Sequence, residues 1–275
     1  MTSSGRVQLL VPLHIPVTSD SDWLRPDWRL DDVHALMTTR RGGVSTGAFE
    51  SMNLRDGLGD DALAVAQNQA RLAAIVGASM VRLNQVHGAR VVRLTRADAA
   101  PGASQHDADA CVTTEQGVVC SIQVADCLPV LFAAPGAVAA AHAGWRGLAA
   151  GVLEATLSAL CDASGCSPDQ VAVWLGPCIG PRRFEVGADV LQAFGVDPAA
   201  TMAPEAVLQT SRFVPRTSGK WLADLPGLAR DRLSALGAKN VSGGTWCTSE
   251  DASRFFSFRR DGVTGRMVAA VWLGH

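Results

Sequence analysis

The sequence predicts a mixed α/β or α+β sandwich within a single domain that covers residues 1–275. Apolar and β-branched runs that are typical of strands outnumber the helical segments, and several are separated only by hairpin-length turns. The sequence contains no G-x-G-x-x-G or G-x-x-x-x-G-K-[ST] turn, which argues against a doubly wound nucleotide-binding sheet. A chain of 275 residues, 48% of them hydrophobic, can bury a core without disulfide bonds.

Three helices are predicted from apolar residues at helical spacing together with start and stop signals. The first covers Asp60–Gly77, with two acidic residues in its first turn and a glycine at its end. The second covers Gly147–Cys161 and carries an apolar stripe along one face. The third covers Pro226–Gly237, with proline near its start and glycine just past its end.

Nine strands are predicted between and around these helices. Each is a short run of apolar or β-branched residues that is bounded by turn-forming residues. The predicted strands are Val81–Gln85, Arg90–Leu94, Val118–Val124, Leu128–Ala134, Ala137–His142, Val171–Leu175, Lys220–Ala223, Val241–Trp246 and Arg266–Trp272.

Composition limits the partners and the chemistry. The net charge of −2 and the lack of a basic patch exclude nucleic acid as the main partner. The apolar stretch after Met1 is short and interrupted by proline and histidine, so we expect neither a signal peptide nor a membrane span, and a cytoplasmic location follows. Seven cysteines without a C-x-x-C pair favour reduced thiols. Tyrosine is absent, so no catalytic step can use a phenol.

The most informative segment is residues 124–147, VADCLPVLFAAPGAVAAAHAGWRG. A hairpin that turns at Pro135-Gly136 places His142 opposite Pro129 and Cys127 opposite Gly144. Since side chains alternate between the two faces of a strand, Cys127 and His142 are then diagonal neighbours on one face. The two side chains can therefore reach one ion or one reacting atom, and a register shift of one residue would separate them.

A third candidate ligand, His87, lies in NQVHGARVV between two apolar runs and directly before a glycine. A strand, a His-Gly corner and a second strand would direct this imidazole out of the end of a sheet. Together with Cys127 and His142 it would form a His₂Cys set, which suits a catalytic zinc ion with an open fourth position. The spacing matches no short metal-binding signature, and each residue taken singly is more often a packed core residue than a ligand.

Several motifs in the chain together resemble the YfiH-like family, also called the laccase-domain or multicopper polyphenol oxidase family, which includes the peptidoglycan editing factor. The resemblance runs through NQVHG, DADACVTT, ADCLPVLF, HAGWRG, GPCIGPRRFEV, WCT and FFSFRRDGVTGR and covers nearly the whole chain from Thr38 onward. It implies a layered α/β/β/α sandwich of mixed sheets, an α+β fold similar to the catalytic domain of the cytotoxic necrotising factors. Relatives often carry tyrosine where this chain has Phe184 and Phe258.

The resemblance also implies a zinc site and a reaction. In that family the matching residues bind zinc, which maps onto His87, Cys127 and His142, and the toxins use a Cys-His pair that looks like Cys127 and His142. The implied activity is phosphorolysis of adenosine, inosine and methylthioadenosine and deamination of adenosine. Zinc supports deamination because it lowers the pKa of bound water to about 7.

Phosphorolysis needs an anion site beside the sugar, and arginine suits it because it binds oxyanions through two parallel hydrogen bonds. Asp126 and Glu185 are candidate acids or bases, although Asp126 would equally suit a structural carboxylate that caps a turn. Phe255, Phe256 and Trp145 are candidates for stacking on the purine. The predicted phosphate-binding residues are Arg40, Arg41, Arg146, Arg260 and Arg266.

For the nucleoside activity, the expected partners are a nucleoside and phosphate, and the protein is expected to be a monomer or a weak homo-oligomer. Three alternative functions remain open. An amidase-like hydrolase could remove serine from a cell-wall precursor, with Cys127 as a nucleophile activated by His142. Copper accepts the same ligands as zinc, but one His₂Cys site gives at most one blue-copper-like centre, which disfavours phenol oxidation. The third alternative is a binding module without catalytic activity, and a metal site with an open coordination position disfavours it.

Overall fold

The computed structural model describes residues 22–274 except residues 29, 200, 202–211 and 218. Its helices are α1 Ala62–Val76, α2 Trp145–Ala149, α3 Val152–Ser164, α4 Ala188–Ala193, α5 Leu225–Ala235 and α6 Phe258–Asp261. Its strands are β1 Val33–Met37, β2 Ser79–Val81, β3 Val91–Arg93, β4 Ala110–Thr113, β5 Val118–Val124, β6 Leu128–Ala134, β7 Ala137–Ala143, β8 Ala172–Leu175, β9 Glu185–Val186, β10 Phe213–Pro215, β11 Trp221–Ala223, β12 Asn240–Gly243 and β13 Met267–Leu273.

Two mixed sheets face each other, and helices cover their outer sides. The first sheet has the strand order β1-β13-β5-β2, and the second has the order β12-β8-β6-β7-β4-β3. Helix α1 packs on the outer side of the first sheet, whereas α3 and α5 pack on the outer side of the second. A small sheet with the order β10-β11-β9 lies beside α5. The predicted α+β class and its layered α/β/β/α arrangement are confirmed.

The core is divided into three layers because each sheet buries both faces. Strand β6 shows this division: Val130 and Phe132 point into the layer beneath α3 and α5, whereas Leu131 and Ala133 point into the layer between the sheets. All seven residues of β6 and all seven of β7 are buried. A strand buried on both faces appears in sequence as a continuous apolar run, which is the pattern that predicted this hairpin.

Most predicted elements are present with nearly the expected bounds. Strands β5 and β6 coincide with their predicted ranges, β7, β8 and β11 differ from theirs by one residue at one end, and β3 and β13 differ by one residue at each end. The capping signals of α1 act as expected. The side chain of Asp61 accepts the Leu63 N–H, and Gly77 ends the helix at a φ of 65°, a conformation that glycine adopts without strain.

The single helix predicted for Gly147–Cys161 is wrong, because two helices occupy this segment. Helix α2 ends at Ala149, and α3 begins at Val152 after Gly151, whose φ is 92°. A left-handed residue cannot continue a right-handed helix, so the chain changes direction here. The apolar periodicity continues through the break, which is why the pattern alone did not reveal it.

Two predicted strands are also misplaced. The strand predicted for Val81–Gln85 overlaps β2 only at Val81, where β2 ends. Beyond Val81, Asn84 makes an isolated bridge to Asp107. The strand predicted for Val241–Trp246 stops early at Gly243, because Gly243 and Gly244 both have a positive φ. A Cβ atom at Gly243 would lie 2.2 Å from the Leu175 carbonyl oxygen, so the close approach of β8 requires glycine there.

Two strands in the main sheets were not predicted. Strand β1 pairs antiparallel with β13, and β4 pairs antiparallel with β7 and parallel with β3. Both are four or five residues long and gain their hydrogen bonds from partners far away in the sequence. Within the described part of the chain, no helix is long and apolar enough to cross a membrane. The apolar stretch after Met1 lies outside the described residues.

Candidate metal centre

The β6–β7 hairpin brings Cys127 and His142 together. The observed register pairs Pro129 with His142 and Leu128 with Ala143, as predicted from the Pro135-Gly136 turn. Cys127 directly precedes the first pair and packs against the core between the sheets. His142 is buried, whereas Cys127 is partly exposed. The predicted proximity of these two side chains is confirmed.

His87 reaches the same point from the corner between β2 and β3. Its φ is 62°, a left-handed conformation that is uncommon outside glycine. This conformation lets the side chain extend towards the hairpin, where its Nε2 lies 3.8 Å from the Cys127 Sγ. The His87 and His142 rings meet edge to face, with 4.8 Å between their centroids. His87 is exposed to solvent, so the group opens outward.

The three residues fit a metal ion. Their ligand atoms all lie within 4.8 Å of one another. A tetrahedral zinc ion with Zn–N bonds of 2.0–2.1 Å and Zn–S bonds of 2.3 Å separates its ligand atoms by about 3.5 Å, so a small closure of the group brings all three into contact with one ion. Three protein ligands and an exposed fourth side are the composition of a catalytic site rather than of a closed structural one.

Asp109, which directly precedes β4, is the functional residue that sequence reasoning missed. Its side chain is 0% exposed. Its Oδ1 accepts hydrogen bonds from His142 Nδ1, at 2.8 Å, and from the His87 N–H, at 2.8 Å. Its Oδ2 accepts the Gly88 N–H at 2.6 Å and the Val86 N–H at 3.2 Å. One carboxylate therefore orients the His142 ring, leaving Nε2 for an ion, and fixes the backbone that carries His87.

Asp109 lies in the DADACVTT stretch, where a carboxylate directly before a buried strand is the signal that could have revealed it. Burial raises its pKa, but the hydrogen bonds from His142 and from the Gly88 N–H outweigh that effect, and the net pKa lies below the usual value. Asp109 is therefore ionised and accepts all of these hydrogen bonds.

The metal-free group is an ion pair. Burial raises the pKa of the Cys127 thiol, but the hydrogen bond and positive charge of His142, followed by those of His87, outweigh it and lower the pKa to about 6. Burial lowers the pKa of His142, but Asp109 and Cys127 outweigh it and raise the pKa to about 9. Between these values Cys127 is a thiolate and His142 an imidazolium, so the sulfur is already in the form that binds metals.

A pocket opens above this group, and aromatic side chains paired with arginines form its walls. Among its lining residues are Trp145, Phe184 and Phe258. The guanidinium of Arg146 lies 4.3 Å from the Trp145 ring, that of Arg259 lies 5.4 Å from Phe184, and that of Arg266 lies 5.8 Å from Phe258. Arg146 and Arg259 line the pocket directly. The wall therefore offers both flat apolar rings and positive charge.

Of the five arginines predicted for phosphate, only Arg146 is among the residues that line this pocket, and three of the others bond to loop backbone. Arg40 donates to the carbonyl oxygens of Glu50 and Ala252, and Arg41 donates to that of Ser253. Arg260 donates to the carbonyl oxygens of Thr248 and Phe255 and pairs with Asp261. These guanidinium groups hold loops together.

The other two predicted arginines lie at or beside the pocket. Arg146 is exposed at its mouth. Arg266 is partly buried, and its Nη1 donates to the carbonyl oxygens of Thr264 and Gly265. Burial and the charge of Arg55 lower its pKa, and the charges of Cys127 and Asp126 oppose that effect. The structure also adds Arg259, whose Nη1 donates to the Glu185 carbonyl oxygen.

Asp126 lines the pocket, but both of its oxygens are engaged. Oδ1 accepts the Thr248 hydroxyl and Oδ2 accepts the Arg259 N–H. Its φ of 96° is strained for a residue with a side chain. This geometry favours the structural alternative, a carboxylate that holds the start of α6. Glu185 is exposed and is not among the residues that line the pocket.

The predicted stacking residues divide between the pocket and the core. Trp145 lines the pocket, but Phe255 and Phe256 are fully buried in the layer between the sheets. Two other phenylalanines, Phe184 and Phe258, are the rings that face the pocket instead. The sequence placed the aromatic residues in the correct loops but did not separate the inward from the outward rings.

Residues 34–274 match the family model described as multi-copper polyphenol oxidoreductase laccase, and the chain belongs to this family. A purine nucleoside phosphorylase of Pseudomonas aeruginosa is 47% identical over 91% of this chain and 98% of that protein. The purine nucleoside phosphorylase YfiH of Escherichia coli is 44% identical over 90% of this chain and 97% of that protein. The family expected from the sequence motifs is confirmed.

Solved structures show the same fold. A crystal structure of a Neisseria meningitidis protein superposes with a TM-score of 0.81 at 45% identity and covers 92% of this chain and 100% of its own. The structure of YlmD from Geobacillus stearothermophilus superposes with a TM-score of 0.82 at 33% identity, covering 92% of this chain and 96% of its own.

Replacement of Asp109 tests its position behind both histidines. With added zinc as the probe metal, we expect Asp109→Asn to weaken the affinity of the group by about 10- to 100-fold, as is typical when the outer partner of a ligating histidine is changed. The measurement is competition with a chromophoric chelator. Asp107→Asn, at an exposed position two residues earlier, is the matched control and should bind zinc as the unmodified protein does. Unchanged affinity in a folded Asp109→Asn protein would contradict the assignment.

The ion pair predicts an unusual pH dependence of alkylation. In metal-free protein, iodoacetamide should label Cys127 at a rate that rises with a midpoint near pH 6 and stays constant above it, because the thiolate is the reactive form. His142→Ala removes the main stabilising charge and should move the midpoint upward by at least one pH unit, since the remaining burial favours the thiol. Mass spectrometry of the Cys127 peptide gives the rate, and a midpoint near 9 in the unmodified protein would exclude the ion pair.

Proposed function

We propose that this protein is a zinc-dependent purine nucleoside phosphorylase that acts on adenosine, inosine and methylthioadenosine and also deaminates adenosine. The observation that carries the proposal is the His87–Cys127–His142 group at the base of a pocket lined by arginine–aromatic pairs. The names of the Pseudomonas aeruginosa and Escherichia coli relatives support the nucleoside reaction. Deamination and the identity of the metal extend beyond those names and rest on the donor set.

Zinc suits this site better than the hard divalent cations do. A thiolate and two imidazoles are ligands for zinc or copper, whereas calcium and magnesium require oxygen ligands. Zinc held by His87, Cys127 and His142 would supply a Lewis acid to the reaction. Asp109 holds the proton on His142 Nδ1, so that Nε2 remains a neutral donor when the metal is bound.

The pocket walls bind the two substrates. The rings of Trp145, Phe184 and Phe258 provide flat apolar surfaces for a purine. Phe258 is 57% exposed, which is unusual for a phenylalanine and leaves its face open to a ligand. Because Arg146 and Arg259 line the pocket and the Arg266 guanidinium lies against Phe258, which also lines it, we assign phosphate to Arg146 and Arg266 of the predicted set, together with Arg259.

Two reactions can follow from the same bound nucleoside. In phosphorolysis a phosphate oxygen forms a bond to C1′ of the ribose, and the base leaves with the electrons of the glycosidic bond. In deamination water adds at C6 of adenine and ammonia leaves. The first reaction needs the arginines and the second does not, so the two should respond differently to loss of an arginine.

A second candidate, hydrolysis of an amide in a serine-containing cell-wall precursor, is favoured by one observation. A thiolate, an imidazolium and a buried carboxylate follow one another in space, and they are the side chains of Cys127, His142 and Asp109. This is the arrangement of a cysteine hydrolase. This arrangement requires the metal-free group. Nucleoside chemistry therefore predicts activity that depends on zinc, whereas thiolate catalysis predicts activity that zinc inhibits.

Product analysis distinguishes the two functions. Protein loaded with zinc and protein stripped of zinc are each incubated with adenosine, with and without phosphate, and separately with a serine-containing muropeptide precursor. We expect adenine only when phosphate is present. Inosine should form in both cases, and part of it should be converted to hypoxanthine when phosphate is present, with zinc required throughout. His87→Ala should lose both products and its zinc. Release of serine at a higher catalytic efficiency than either purine product would support the hydrolase instead.

Arg146→Ala tests the phosphate assignment without disturbing the fold, because this side chain is exposed. We expect kcat/KM for phosphate to fall roughly 10- to 100-fold, since a hydrogen bond to a charged group contributes ~1.5–3 kcal/mol. Adenosine deamination should change little. Arg216→Ala, at another exposed arginine outside the pocket lining, serves as the control. Equal losses in both reactions would mean that Arg146 binds the nucleoside rather than phosphate.

A further inference from the structure

A pair of thiols lies at the carboxyl end of α3. The Sγ atoms of Cys161 and Cys166 are 4.0 Å apart, and both residues are partly exposed. Both also pack at the edge of the core layer beneath α3 and α5. Among the described cysteines, Cys111, Cys120 and Cys178 are buried, so most of the other thiols are out of reach of a dissolved reagent.

The local sequence forces this contact. Gly165 follows the last residue of α3 with a φ of 70°, and its N–H donates to the Cys161 carbonyl oxygen at 2.7 Å. A left-handed residue at this position folds the chain back, so that the next side chain contacts one in the last turn of the helix. Here both of those side chains carry sulfur.

The surroundings hold the pair in place and keep it apart from the metal centre. The Ser164 hydroxyl donates to the Pro135 carbonyl oxygen at 2.6 Å, which ties this turn to the turn between β6 and β7. Cys127 and His142 lie at the opposite end of the same two strands. Since each strand has seven residues, about 20 Å separates the two ends.

We propose that Cys161 and Cys166 are a modification site at which a low-molecular-weight disulfide, such as oxidised glutathione, forms an intramolecular disulfide bond. A disulfide requires an S–S distance of about 2.0 Å, so closing the bond requires the two sulfurs, now 4.0 Å apart, to approach each other by rotation of their side chains. The site is independent of the proposed nucleoside activity, because none of its residues lines the pocket.

The exchange balances without any further oxidant. One thiolate attacks a sulfur of oxidised glutathione, forming a mixed disulfide and releasing one glutathione thiolate. The second cysteine, as its thiolate, then attacks the protein sulfur of the mixed disulfide and releases the second glutathione. The two cysteines lose two protons and two electrons together, and the reagent gains them as two molecules of glutathione.

The environment of Cys161 sets the pH dependence of this exchange. Burial, followed by the neighbouring Cys166 and the charge of Asp162, raises the pKa of the Cys161 thiol to about 11. Cys161 is therefore almost entirely protonated at neutral pH, and closure of the bond should accelerate as the pH rises. This behaviour is opposite to that of Cys127, whose labelling reaches its plateau above pH 6.

The test treats zinc-loaded protein, and separately the Cys127→Ala variant, with oxidised glutathione. We expect an intact mass lower by two hydrogen atoms and no bound glutathione. Digestion with trypsin and with a protease that cuts before aspartate separates residues 147–161 from residues 162–168, and each peptide holds one cysteine. These two peptides should remain linked until a reductant is added, and the activity of the zinc-loaded protein should not change.

Single substitutions make the result specific. Cys161→Ser should retain one glutathione on Cys166, because the resolving thiol is missing. Cys247→Ser, which removes another partly exposed thiol, should form the bond as the unmodified protein does. Free thiols throughout, a stable mixed disulfide in the unmodified protein, or linkage to any other cysteine would each overturn the proposal. Because the peptide map uses the unmodified chain, the test does not depend on how the variants fold.

Discussion

The site depends on the hydrogen bonds that the buried carboxylate of Asp109 accepts. This carboxylate accepts hydrogen bonds from the His142 ring and from the backbone of His87, and thus binds together two ligands that come from different parts of the chain. A left-handed histidine is unfavourable by itself, and three backbone N–H donors to one carboxylate offset that cost. Such a buried charge is tolerated only because its acceptor capacity is filled, so removal of any donor would leave it partly unsatisfied.

The layered fold explains why this carboxylate can be placed so accurately. Asp109 directly precedes β4, which pairs with β7, and the His142 N–H also donates to the Asp109 carbonyl oxygen at 2.7 Å. The relative position of the carboxylate and the imidazole is therefore set by a ladder of backbone hydrogen bonds in a sheet that is covered on both faces. His87 lies outside the strands, in the loop between β2 and β3, and its backbone is held in place by the hydrogen bond to Asp109 instead of by strand pairing.

Sequence alone placed Cys127 beside His142 because a continuous apolar run and a Pro-Gly turn fix the register of β6 and β7. It did not find Asp109, because β4, the buried strand that this carboxylate directly precedes, was not predicted. It also did not separate the arginines, because their roles depend on which carbonyl oxygens approach from distant segments. Arg40 and Arg41 reach the 252–253 backbone, whereas Arg146 is left at the pocket. The break at Gly151 escaped detection because the apolar stripe continues through it.

Because the chain contains no tyrosine, the aromatic rings that line the pocket are those of tryptophan and phenylalanine. Phe184 and Phe258 each lie against an arginine at the pocket. A ring face attracts a guanidinium through its quadrupole whether or not a hydroxyl is attached. The rings can therefore position Arg259 and Arg266 without a phenol, and they leave the pocket with no phenolic acid. Proton transfer in this chain must then depend on groups other than a phenol, and the pairing of His142 with Asp109 places an imidazole and a carboxylate together at this site.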